Sequence, residues 1–179
     1  YQTVGSFRLD FGFPSDALQG DSLSYKKYTR ELNISKATSQ CSFTAGGVRY
    51  TREVFTSFTD DVALVRLSAD KKHSISFTST FTSPMRDVTL TTDAKEATLT
   101  LRGRAFDHEG IEGKIRFTTT ARIAARGGTL TGDDSHLTVS DADEVYILIS
   151  SGTNFVNYSD VSGDADKEAQ APLNGMKAF

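Results

Sequence analysis

Apolar and polar side chains alternate with a period of two along most of this chain, as they do in strands with one buried face. Phe7, Leu9, Phe11 and Phe13 share one parity, with Arg8 and Asp10 on the other. Cys41, Phe43 and Ala45 run into Gly46-Gly47, and Val48 and Tyr50 continue beyond it. A two-residue Gly-Gly loop suits the positive φ of a primed hairpin turn, and it pairs Ala45 with Val48, Phe43 with Tyr50 and Cys41 with Arg52. The runs Val62–Leu67 and Val145–Ile149 are apolar on both parities, as expected of strands covered on both sides.

Other alternating stretches are centred on Ile75, Phe77 and Phe81, on Val88 and Leu90, on Leu99 and Leu101, and on Ile115, Phe117, Ala121 and Ile123. Gly127-Gly128 interrupts the pattern before Leu130, and Leu137 and Val139 lead into Asp141-Ala142-Asp143-Glu144, which reads as a polar turn. Roughly ten to twelve short strands at spacings of about 8 to 15 residues predict an all-β fold, a two-sheet antiparallel β-sandwich. Helical periodicity enters only after Gly163, where Asp164, Asp166 and Glu168 sit at the start of a candidate helix. The expected division is a sandwich domain over residues 1–163 and the start of a linker over residues 164–179.

The 179 residues suit one domain, and 37% hydrophobic with 24% charged residues permits a core beneath a solvated surface. A net charge of -3 argues against a nucleic-acid-binding face, which needs a basic stripe. No apolar run approaches the roughly 18 residues of a membrane span. The single cysteine, Cys41, forms no internal disulfide and rules out a cysteine-based zinc site. Its inward-facing strand position makes it a small buried hydrophobe rather than a reactive thiol. The chain starts at Tyr1 without an initiator methionine and stops at Phe179 without a helix cap, so it reads as a piece of a longer protein.

Candidate chemistry is sparse. Asp107-His108-Glu109-Gly110 places carboxylates beside an imidazole, a set used for acid–base work or metal binding, and Glu112 adds a further carboxylate nearby. The plainer reading is a polar interstrand loop. His73, His108 and His136 have no paired-ligand spacing. Asp160–Asp166 resembles a calcium loop, but Ala165 stands where that loop needs glycine and Ala171 where it needs glutamate. No metal and no cofactor is expected. Nucleophile-elbow, phosphate-loop and dinucleotide motifs are missing. Asn33-Ile34-Ser35 and Asn157-Tyr158-Ser159 are formal glycosylation sequons, and the chain has no tryptophan to stack on a sugar.

Several stretches, taken in order, resemble the N-terminal domain of glycoside hydrolase family 95, the α-L-fucosidase family. Tyr1–Phe11 is similar to that domain's "YQPLGDLxLxF" strand, with Thr3 in place of the usual proline and Ser6 where aspartate is common. Tyr28–Ile34 resembles "YxRELDL", Gly46–Phe55 resembles "GGVxYxREVF", and His108–Lys114 resembles "HEGIxGK". Ala142–Val145 and Thr153–Tyr158 resemble the strand and turn that close the domain.

The resemblance implies a β super-sandwich, its first strands missing here, placed ahead of a linker and an (α/α)₆ barrel. In that family the barrel carries the acid and the activated water of an inverting hydrolysis, so no catalytic residue is expected in this chain. It also implies a periplasmic or extracellular location, with the chain's own C-terminal barrel as partner and glycan reached through the full enzyme. His108, Glu109, Asn154, Asn157 and Tyr158 are the expected substrate- or barrel-facing loop residues. The alternatives are a stand-alone carbohydrate-binding sandwich and a parent enzyme acting on α-L-galactosides. An apolar patch should lie exposed where the barrel packs.

Overall fold

The computed structural model describes residues 2–20 and 22–174. Tyr1 of the expected first strand and residues 175–179 of the expected linker lie outside them. In chain order the strands are β1 (Ser6–Phe11), β2 (Leu18–Gln19), β3 (Ser22–Leu23), β4 (Lys26–Asn33), β5 (Thr38–Ala45), β6 (Val48–Ser57) and β7 (Val62–Ala69). They continue as β8 (Ile75–Thr82), β9 (Arg86–Asp93), β10 (Thr98–Arg104), β11 (Arg116–Arg126), β12 (Thr129–Gly132), β13 (Leu137–Ala142) and β14 (Glu144–Thr153). One helix, α1 (Ala165–Asn174), follows.

Apart from the two-residue pair β2–β3, the strands form two antiparallel sheets, ordered β1-β8-β13-β12 and β4-β5-β6-β7-β14-β11-β10-β9. The expected sandwich is therefore present. Gly46 and Gly47 take φ values of 54° and 71°, and the register pairs Ala45 with Val48, Phe43 with Tyr50 and Cys41 with Arg52, as the sequence requires. The two strands that are apolar on both parities, β7 and β14, lie side by side in the middle of the larger sheet. On one face Leu67, Val145 and Ile147 meet Phe77, Leu137 and Val139 of the smaller sheet. On the other, Val62, Leu64 and Leu148 receive Leu173 of α1.

Two glycine pairs of identical sequence do different work. Gly46-Gly47 turns the chain back within one sheet, whereas Gly127-Gly128 carries it from β11 in the large sheet to β12 in the small one. Asp141–Glu144 makes the return crossing, which corrects the expectation of a plain polar turn. Ala142 is fully buried in β13, and Asp143 Oδ1 accepts the backbone N–H of His73 at 2.8 Å.

At the β1 edge the two sheets stand apart, and Phe7, Leu9 and Phe11 share an open cavity of about 440 Å³ with Arg30, Cys41, Arg52 and Val54 of the large sheet. Cys41 is consequently half-buried beside the exposed Arg30 and Arg52, not fully buried as its parity suggested. β1 pairs only with β8 among the described strands. The bond from Gly12 N–H to Ser76 O at 3.0 Å continues that ladder. Ser6, Arg8 and Asp10 therefore bond toward β8, and the backbone groups of Phe7, Leu9 and Phe11 point to the free edge.

Helix α1 begins where the sequence placed it. Asp164 Oδ1 accepts the N–H groups of Asp166 and Lys167, each at 3.1 Å, and so satisfies two otherwise orphaned donors. The helix lies across β14 and β11, and Gly152 permits this because any side chain there would collide with Ala165 and Glu168.

Candidate functional site: the loop end of the large sheet

β11 and β14 pair Phe117 with Thr153, so the connection before β11 and the one after β14 emerge together. The loop 105–115 and the turn 154–163 are thus neighbours at one end of the large sheet. Asn154 joins them. Its Oδ1 accepts the backbone N–H of Arg116 at 2.8 Å, and its Nδ2 donates to Val161 O at 2.8 Å and Lys114 O at 3.2 Å. With the residue only 9% exposed and all of these bonds made, Asn154 positions two loops rather than presenting a group to a ligand.

The loop 105–115 is a hairpin held from below by Arg104. Arg104 Nη1 donates to Asp107 Oδ1 at 3.0 Å and to Gly113 O at 2.8 Å, while Nε reaches Asp87 Oδ2 at 3.2 Å. The Gly113 N–H and the Arg104 guanidinium hold the Asp107 carboxyl below its ordinary value. At the tip, His108 and Ile111 exchange two backbone hydrogen bonds of 2.9 Å around Glu109 and Gly110, both at positive φ. His108 and Glu109 therefore stand in solvent, with 4.0 Å between Nε2 and Oε1. Asn157 turns its Oδ1 inward to the N–H (3.0 Å) and hydroxyl (2.9 Å) of Ser159, a local turn that leaves Tyr158 fully out in solvent.

The structure thus brings all five expected residues to one end but gives them unlike roles. Asn154 and Asn157 build loops, and His108, Glu109 and Tyr158 project from them. Asp107 is ion-paired with Arg104 and Glu112 lies 3.6 Å from it, so these two carboxylates face the loop's own scaffold while Glu109 does not.

Sequence reasoning missed Arg102 and Arg104 and read Asp166 only as a helix-start acid and the end of a calcium-like run; all three line a cleft of about 1040 Å³ between the hairpin and the start of α1. Asp166 Oδ1 accepts from Thr118 Oγ1 at 2.7 Å and from Arg102 Nε at 2.8 Å. The Thr118 hydroxyl and then Arg102 keep its carboxyl below the usual range against the opposing effect of burial. The available signal was Arg102-Gly103-Arg104, two arginines on the polar parity around a glycine that lies against the ring of Phe117. Ionised, paired carboxylates suit orientation and binding, whereas a glycosidic acid must be held protonated near neutral pH. In the acidic run after Val156, Asp160 Oδ1 accepts the Ser162 N–H at 2.9 Å and Asp164 caps α1, so both oxygens serve turns. Among the described residues no three His, Cys, Asp or Glu side chains stand close enough to share a metal ion.

Alpha-L-fucosidase 2 of Arabidopsis thaliana is 27% identical over 184 residues, covering 87% of this chain and 20% of the relative. The chain thus spans about a fifth of that protein's length. A putative kojibiose phosphorylase from the human microbiome superposes with a TM-score of 0.61 over 96% of this chain and 25% of its own, at 8% identity, which establishes the shared fold. The model of the glycosyl hydrolase family 65 N-terminal domain matches residues 1–158. The chain therefore belongs to the family of glycosyl hydrolase family 65 N-terminal domains, the sandwich that precedes a catalytic domain in such enzymes.

Proposed function

We propose that this chain is the non-catalytic N-terminal sandwich of an α-L-fucosidase-type enzyme of glycoside hydrolase family 95, which cleaves terminal α-L-fucosides from glycans with inversion. The observation that carries the reading is the likeness to an α-L-fucosidase over 87% of the chain. The enzyme acts in the periplasm or outside the cell, where glycans are met. The acid and the activated water belong to the following catalytic domain. Residues 164–179 lead toward it, with α1 as a bracket between the two. A strand supplied from upstream pairs with the free edge of β1 at Phe7, Leu9 and Phe11 and extends the small sheet.

Within that enzyme the tips at His108-Glu109 and Phe155–Tyr158 wall one side of the substrate pocket. Such a wall excludes water while the catalytic groups sit on rigid helices. Support comes from the geometry, since both tips share one end, stand clear of the sandwich and are held from below by Arg104 and Asn154.

The test is the full-length enzyme with an aryl α-L-fucoside and an aryl α-L-galactoside, following the anomer released by NMR. Release of β-L-fucose supports the reading. Faster cleavage of the galactoside would keep the inverting chemistry and change the sugar, and retention would overturn the family-95 assignment. His108→Ala and Glu109→Ala together should lower kcat/KM severalfold at unchanged Tm, and unchanged kcat/KM would remove the substrate wall.

A further inference from the structure

The large exposed apolar side chains are distributed unevenly over the molecule. Among the described residues the four most exposed are Phe58 (98%), Tyr158 (97%), Ile34 (86%) and Ile111 (73%). Each sits in a different connection, β6–β7, the turn after β14, β4–β5 and β10–β11 respectively. The strand order and antiparallel pairing put all four connections at one end of the large sheet, in a stepped row whose neighbours in space are neighbours in the sheet. Phe155 and Val156, both half exposed, belong to the same row. At the opposite end the connections carry Asp70, Lys71 and Lys72 after β7 and Lys95 and Glu96 between β9 and β10, and the exposed apolar side chains there, Tyr25 (57%) and Leu18 (41%), are less exposed.

Single apolar residues on a surface are ordinary, but a concentration of them at one end of a sheet marks a contact surface. Several of the supporting turns are held rigid. Asn33 Oδ1 accepts the Lys36 N–H at 3.0 Å, and Ser57 Oγ accepts the Asp60 N–H at 3.2 Å. Asn157 fixes the turn that carries Tyr158. Aromatic side chains presented on pre-ordered turns lose little entropy on docking and make the usual anchors of an interface.

We infer that this end of the large sheet is the face on which the catalytic domain of the full polypeptide docks, with Phe58 and Tyr158 as its anchors. The inference rests on the N-terminal-domain reading and draws its occupant from it. The chain covers only 20% of its fucosidase relative, so a partner domain of the same polypeptide is available at high effective concentration. Ile34 and Phe58 extend the contact well beyond the two loops that the sequence motifs singled out.

Hydroxyl-radical footprinting of the full-length protein tests this without any substitution. Phe58 and Tyr158 should be labelled at least fivefold more slowly than free aromatic side chains, independently of protein concentration, while Tyr25 on the other side is labelled at an ordinary rate. Phe58→Ser combined with Tyr158→Ser should then split the full-length protein's melting into two transitions, and Lys72→Ala should leave it single. Full-rate labelling of both aromatics would overturn the inference. So would protection that disappears on dilution together with a dimer, because the occupant would then be a second copy. Both readouts are independent of the sugar cleaved, so an enzyme inactive on fucosides would end the functional reading and leave this one standing.

Discussion

The side-chain oxygen of Asn154 accepts the backbone N–H of Arg116 at 2.8 Å across 38 positions of sequence, and through this bond two loops at the end of the large sheet become one unit. The same amide donates to Lys114 O and Val161 O, so a single buried side chain closes both the entrance to β11 and the exit from β14. The exposed tips on either side are held in place by a residue that itself touches nothing outside the fold.

Removal of that amide should therefore act on stability. Asn154→Ala leaves a buried N–H and two carbonyls without partners, at a cost of about 2–4 kcal/mol if each is worth roughly 1 kcal/mol. Denaturant unfolding should show that loss, with faster amide exchange at 105–115 and 154–163. His108→Ala should leave stability within about 0.5 kcal/mol of the parent, as expected of a surface position. Equal effects of the two changes would contradict the division of roles.

Acid should destabilise the protein in a defined direction. Burial by itself would raise the Glu144 carboxyl, but hydrogen bonds from Arg66 and Tyr146 and the charges of Arg66 and Arg126 outweigh it and hold the group below its ordinary value. Asp107, Asp133, Asp160 and Asp166 are also held low. Such groups bind fewer protons folded than unfolded, so their contribution is complete above the ordinary carboxylate range. It is lost as pH falls through the lowered values. Tm should be level from neutral pH down to about pH 5 and drop below it. Glu144→Gln should lower neutral-pH stability by about 1–3 kcal/mol, the worth of a charge-assisted hydrogen bond, and make the acid slope shallower. An unchanged slope would remove Glu144 from the account.

The two sheet crossings make a further contrast. Gly128 has a φ of 69°, and a Cβ there would be driven into the Ser140 carbonyl and the Asp141–Ala142 peptide. Gly110 has a φ of 79° with open space around it. Gly110→Ala should cost only the left-handed penalty of about 1–2 kcal/mol, whereas Gly128→Ala should exceed it and disturb the β11–β12 crossing. Chemical denaturation of the two variants measures the difference, and equal losses would contradict the crowding at Gly128.

The fold was largely legible because its determinants are local. Alternation at Phe7, Leu9 and Phe11 sets a face, Gly46-Gly47 sets a register, and two-sided apolarity at β7 and β14 marks the centre of a sheet. Partnership between distant segments was not legible. Nothing in the sequence separates the Gly-Gly that reverses the chain from the Gly-Gly that changes sheets, and the difference lies in which strand waits beyond. That the two loops lie together could not be read from the sequence, nor could what each of their side chains touches. The family motifs point to both loops, yet the amide of Asn154 looks the same in sequence whether it faces a sugar or a peptide. The pairing of Arg102 with Asp166 was missed because the two lie 64 positions apart, one on β10 and one on α1. Cys41 misled because parity assigns a face but does not say how closely the opposite sheet packs against it.

The central claim is that this chain supports chemistry carried elsewhere in the enzyme. The direct measurement is hydrolysis of a panel of aryl glycosides, including α-L-fucoside and α-L-galactoside, by the 179-residue chain and by the full-length protein side by side. Turnover by the full-length protein alone is the predicted result. Turnover by the short chain, abolished when Asp107, Glu109 and Glu112 are changed to their amides, would contradict it.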